Sequence, residues 1–79
     1  MIIKILGTGC PKCEKLEKLA KQAAAELEVS ATFEKIKTID EILDYGVAIT
    51  PGLVINEEVK IAGKIPSLEQ IKTWIAETA

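Results

Sequence analysis

The chain has 79 residues and a formal net charge of −2, with 48% hydrophobic and 28% charged residues, which suits one small domain with a single core. All ten basic residues are lysines dispersed among acids, with no basic stripe and no interleaved aromatic set, so nucleic-acid binding finds no support. The early apolar segment, Ile2–Leu6, is far too short for a signal-peptide core or a bilayer span, and the chain is read as cytoplasmic, with no membrane partner.

Ile2-Ile3-Lys4-Ile5-Leu6 reads as a buried strand, central in a sheet. Gly7-Thr8-Gly9 turns the chain, and a helix is expected over Pro11–Glu28. There Cys13, Leu16, Leu19, Ala20, Ala23, Ala24 and Leu27 recur at helical spacing. Glu14 with Lys18 and Glu17 with Lys21 make i,i+4 pairs on what reads as a solvated face. Val29–Ile36 follows as a second strand, with Val29, Ala31 and Phe33 alternating against polar residues. Thr38-Ile39-Asp40-Glu41 has the capping-box pattern, and the short helix after it is expected to turn Ile39, Ile42 and Leu43 inward and to stop at Gly46. Tyr45 reads as a packing residue at that helix end.

Leu53–Ile55 forms a third strand, Asn56-Glu57-Glu58 a turn, and Val59–Ala62 a returning fourth strand. Gly63 and Pro66 mark a loop. Ser67-Leu68-Glu69-Gln70 is a second capping box, opening a last helix with Leu68, Ile71, Trp74 and Ile75 on one face. The fold class is therefore α/β in the order β-α-β-α-β-β-α. A mixed four-stranded sheet is flanked by three helices in a single domain over residues 1–79.

The only two cysteines stand in Cys10-Pro11-Lys12-Cys13, directly after the first strand. Pro11 at the first helical position places Cys10 at the N-cap, where unpaired backbone N–H groups and the helix dipole favour a thiolate. The Lys12 charge adds to this. Cys13, one turn on, is close enough to close a disulfide with Cys10. The pattern leaves open a dithiol redox site, half of a metal site, and structural or inert thiols. With no histidine in the chain, structural zinc is poorly served. Cytosolic C-x-x-C is more often catalytic or metal-binding than structural.

This order, with C-x-x-C after the first strand and Ile49-Thr50-Pro51-Gly52 just before the third, resembles the minimal form of the thioredoxin/glutaredoxin superfamily. The likeness extends to small archaeal and bacterial redox-active disulfide proteins. They carry segments like Tyr45-Gly46-Val47, Thr50-Pro51-Gly52-Leu53-Val54-Ile55 and Ala62-Gly63-Lys64-Ile65-Pro66-Ser67 in the same order. The resemblance covers essentially the whole chain and implies a protein disulfide oxidoreductase or electron carrier that needs no cofactor. Cys10 would attack a substrate disulfide, and Cys13 would resolve the mixed disulfide. Thr50 would pair its backbone with the substrate segment, and a cis Pro51 would stand against the sulfurs. The implied partners are disulfide-containing proteins and an upstream reductase, such as a flavoprotein, with the chain acting as a monomer.

Departures from the superfamily pattern are informative. Lys4 occupies the position of the buried acid that classical thioredoxins carry six residues before the first cysteine, and no obvious base takes its place. Gly63-Lys64-Ile65-Pro66-Ser67 lacks the acidic segment with which glutaredoxins hold glutathione, so dedicated glutathione use is not expected. The competing reading is a soft-metal carrier binding Cu(I) or Hg(II) through the same thiolates. Ferredoxin-like metal chaperones share the C-x-x-C placement but end on a strand, whereas this chain ends on a capped helix.

Overall fold

The computed structural model describes residues 1–9 and 11–78. Its elements are β1 (Ile2–Leu6), α1 (Pro11–Glu26), β2 (Thr32–Ile36), α2 (Ile39–Asp44), β3 (Gly52–Ile55), β4 (Glu58–Ala62) and α3 (Leu68–Thr78). The strands form one mixed sheet in the order β2-β1-β3-β4. β1 runs parallel to β2 across α1 and antiparallel to β3, and β3 returns into β4 as an antiparallel hairpin. The expected α/β architecture is what the chain adopts.

Alternation along the central strands sorts side chains between two cores. Ile3, Ile5, Leu53 and Ile55 face α1 and α3, packing with Leu16, Ala20, Ala23, Ala24, Ile71 and Ile75. Leu6 and Val54 face the other way, onto Ile42 of α2 and Val47. All of β3 is buried, as a central strand covered on both faces must be. Trp74, Phe33, Val29 and Ala31 are partly buried and close the edges of the larger core.

Several expectations need correction. α1 ends at Glu26 rather than Glu28, because Glu28 takes a left-handed conformation (φ 56°). Val29 N–H then donates to the Ala24 carbonyl at 2.9 Å and Glu28 N–H to Ala25 at 3.1 Å, the two bonds of a Schellman stop. The chain from 29 to 31 packs without pairing, and β2 begins only at Thr32. Ser67 caps α3, its Oγ accepting from Gln70 N–H at 3.1 Å, whereas Thr38 makes no side-chain cap bond to α2.

α2 departs most from the sequence reading. Of its three apolar residues only Ile42 is buried, while Ile39 and Leu43 are 63% and 54% exposed. A six-residue helix offers one inward position per turn, and Val47, beyond the helix stop at Gly46 (φ 78°), fills the remaining space.

The β3–β4 turn is Asn56-Glu57, both left-handed (φ 49° and 68°), the conformation two-residue hairpin turns require. Asn56 ties this turn to β1 twice: its Oδ1 accepts from Ile2 N–H at 2.9 Å, and its N–H donates to the Ile2 carbonyl at 2.8 Å. The β3–β4 register shifts at Leu53/Val54, leaving Lys60 at a bulge. Among the described residues no helix is long and apolar enough to cross a membrane.

Candidate active site

The C-terminal end of β1 delivers the chain into Gly7-Thr8-Gly9 and then the first turn of α1. Gly7 N–H stays in the sheet, donating to the Ile36 carbonyl at 2.9 Å, while Gly9 takes φ 95° to redirect the backbone. Pro11 and Lys12 are exposed, and Cys13 is buried at 5% exposure, its side chain turned under the helix. Cys10, the other candidate thiol, lies outside the described residues.

The absence of a side chain at Gly7 makes room for the Cys13 sulfur. A Cβ at Gly7 would fall well inside contact with Cys13 Sγ and 3.0 Å from its Cβ. The same point lies 4.0 Å from Thr50 Cβ. Cys13 and Thr50, thirty-seven positions apart in sequence, therefore converge on one backbone position. The Thr50–Pro51 peptide bond is cis. Pro51 is fully buried, and its carbonyl accepts from Gly63 N–H at 2.8 Å. Gly63, at φ 80°, leaves space for Ile49, whose Cγ2 would stand 3.0 Å from a Cβ there. Ile49 itself is 67% exposed. On the α2 side, Thr8 and Thr50 border a groove of about 230 Å³ lined also by Ile39, Leu43, Val47 and Ala48.

Lys4 does not face this site. Alternation puts it on the α2 face of the sheet, where Nζ donates to Tyr45 Oη and to Glu57 Oε1, both at 2.6 Å. Tyr45 Oη in turn donates to Glu57 Oε2 at 3.2 Å. The hydrogen bond from Lys4 holds the Glu57 carboxyl below the usual range, and the bonds to Glu57 and then Tyr45 raise Lys4. Tyr45, read as a packing residue, thus also supplies a polar tip.

A cavity of about 160 Å³ opens on the other side of Cys13, lined by Gly7, Cys13, Glu14, Glu17, Lys35 and Lys37 among others. Glu17, assigned by its sequence spacing to a solvated face, is a half-enclosed carboxylate. Its oxygens lie 3.1 Å from Lys35 Nζ and 3.5 Å from Lys21 Nζ, and its side chain is only 14% exposed. Burial pushes its carboxyl up, but the hydrogen bond from Lys35 and the charges of Lys21 and Lys35 outweigh that and leave it lowered. A signal for this pair was available in the register. Lys35 lies beside Ile5, whose side chain faces α1, so Lys35 points toward the helix carrying Cys13 and Glu17.

A buried thiol on the first turn of a helix after the central strand, facing a cis-proline loop at the head of the next strand, defines a thioredoxin-fold protein. The chain belongs to the thioredoxin domain family, whose model matches residues 1–76. It is 50% identical over 72 residues to a thioredoxin of Methanothermobacter thermautotrophicus, covering 91% of this chain and 94% of that protein. It is 40% identical over 72 residues to a thioredoxin of Methanocaldococcus jannaschii, covering 91% of this chain and 83% of that one.

Proposed function

We propose that the protein is a thiol–disulfide oxidoreductase that reduces protein disulfides through Cys10 and Cys13. Convergence of the buried Cys13, the side-chain-free Gly7 and the Thr50–Pro51 loop at one point supports this reading best. Membership of the thioredoxin domain family and the named relatives agree with it.

In the reaction, the Cys10 thiolate attacks a substrate disulfide and forms a mixed disulfide, releasing one substrate thiolate. Cys13 then attacks Cys10, closing the Cys10–Cys13 disulfide and releasing the second. Two electrons pass to the substrate. Cys10 acts as the nucleophile, and the charge of the exposed Lys12, two residues on in sequence, favours its thiolate. Thr50 offers its backbone to the substrate segment, with Pro51 shaping that contact. A dithiol protein or flavoprotein reductase restores the reduced form. The chain acts as a cytoplasmic monomer without a bound cofactor.

The test is a pair of variants. Cys10→Ser abolishes reduction of a protein disulfide, and Cys13→Ser accumulates a mixed disulfide with the substrate, seen as a mass adduct. Reduction by the Cys10→Ser protein at the wild-type rate would overturn the assignment. So would stoichiometric Cu(I) binding by the reduced protein without any disulfide exchange. Redox equilibration separates two directions of use: a couple near about −270 mV marks a reductant, and one above about −180 mV an oxidant or isomerase.

A further inference from the structure

α2 buries only Ile42 of its own residues, and its exposed side chains sort onto two sides of the helix. Ile39 and Leu43, four positions apart, line the groove of about 230 Å³ that Thr8 and Thr50 border. Glu41 and Asp44, three positions apart, line a separate cavity of about 350 Å³ with Tyr45 and Glu57. Ile39 and Leu43 stay largely in water, so folding gains little from either. An apolar surface kept open at the rim of a reactive site marks a place for another molecule.

We propose that α2 selects the disulfide substrate, taking a segment with an apolar side chain in the groove and a lysine or arginine against Glu41 and Asp44. The inference rests on the dithiol reading above and names the class of protein segment that site prefers. Continuity with the site carries the first half. Thr50 converges with Cys13 on Gly7 and also borders the groove, so a chain held at Thr50 delivers a neighbouring side chain into it. In an extended segment that neighbour stands two positions from the reacting cysteine, on the same face.

Charge carries the second half. Lys4 occupies Glu57 at 2.6 Å, but no ion pair among the described residues engages Glu41 or Asp44. With three carboxylates on its lining and one ammonium against them, the cavity is negative and suits a cation. Lys37, just before α2, lines the cavity beside Cys13 instead. A helix with its side chains is about 10 Å across, which an extended chain covers in about three residues. The preferred segment thus carries its cysteine, an apolar residue two positions away, and a basic residue about three positions beyond that.

The experiment uses peptides whose single cysteine is joined to a nitrobenzoate thiol. Cys10 attacks the peptide sulfur and releases the coloured thiolate. Cys13 then attacks Cys10 and frees the peptide thiolate, so the protein dithiol gives up two electrons and the peptide disulfide takes them. The Cys13 proton leaves to solvent as the peptide thiolate takes one up. Rates are expressed relative to dithiobis(nitrobenzoate), which has neither side chain. With that reagent the first coloured thiolate reports attack by Cys10, and the second reports resolution by Cys13. Three peptides, each made in both sequence directions, carry leucine with lysine, leucine with glutamate, or glycine with lysine at the two positions. We expect the leucine–lysine peptide, in one direction, to react about tenfold faster than either of the others at low salt. The lysine preference should shrink as ionic strength rises. Glu41→Gln with Asp44→Asn should remove most of the preference for lysine over glutamate and keep that for leucine, and Leu43→Gln should do the reverse. Equal rates for the three peptides, or preferences that these variants leave in place, overturn the proposal. So does a dimer in solution that Leu43→Gln converts to monomer, because a second copy then covers this face. No coloured thiolate from dithiobis(nitrobenzoate) overturns the dithiol reading, and this inference with it.

Discussion

Gly7→Ala tests whether Cys13 is positioned by the missing side chain at Gly7. The backbone there has no positive φ to forbid alanine, and the Gly7–Ile36 hydrogen bond at 2.9 Å keeps that strand end from moving aside. The added methyl would fall inside contact with Cys13 Sγ and 3.0 Å from Cys13 Cβ, so the helix start must shift. Overpacking of this kind costs about 1–3 kcal/mol. In a chain this small, each kcal/mol lowers the melting temperature by about 4–8 °C. If about 1.4 kcal/mol of that strain falls on the approach of Cys13 to Cys10, resolution slows about tenfold. Urea unfolding of the reduced protein measures the first quantity, and the second phase of the chromogenic disulfide reaction measures the second. An alanine variant within about 0.5 kcal/mol of wild type, with normal resolution kinetics, would refute the packing argument.

Four further outcomes follow from the fold. Ile42→Ala, in the smaller core, should cost about 2–4 kcal/mol by urea unfolding, whereas Leu43→Gln next to it should stay within about 0.5 kcal/mol. Ser67→Ala removes a formed cap and should cost about 1 kcal/mol, while Thr38→Ala, where no cap bond is made, should be close to neutral. The Glu57 carboxyl is lowered, so its contribution is complete above the ordinary carboxylate value of 4.5 and is lost as pH falls through its lowered value. Glu57→Gln should therefore weaken the protein at neutral pH and flatten the acid limb of a urea-midpoint titration; an unchanged acid limb would contradict the Lys4–Glu57 contact. Lys4→Met should produce the same flattening, because it removes the partner that lowers Glu57.

The order of elements along the chain and the helix faces of α1 and α3 are legible because their apolar spacing repeats over several turns or strand positions and is matched by burial in the larger core. α2 was not. Three apolar residues in six satisfy a helical pattern whichever way the helix turns, and only the packing of Val47 decides that Ile39 and Leu43 face outward. Lys4 reads as an interruption in a buried strand, and nothing local indicates that Tyr45 and Glu57 arrive to hold its ammonium. Pro11 signals the helix start that α1 shows, but the space beside Cys13 has no signal in the sequence. Glu17 belongs to a charged i,i+4 pattern on the helix, and only the parallel register of β1 with β2 brings Lys35 over to enclose it.

The bulge at Lys60 bears on what the edge of the sheet offers to another strand. β2 and β4 are the open edges of the sheet, each a row of backbone groups able to pair with another chain. On β4, Lys60 sits where the ladder is broken and forms an ion pair with Glu58 at 3.3 Å, so a flat incoming strand meets a twisted, charged border. On β2 the outward positions include Glu34, with Lys35 drawn inward to Glu17. Both borders are therefore poor templates for edge-to-edge pairing with a second chain.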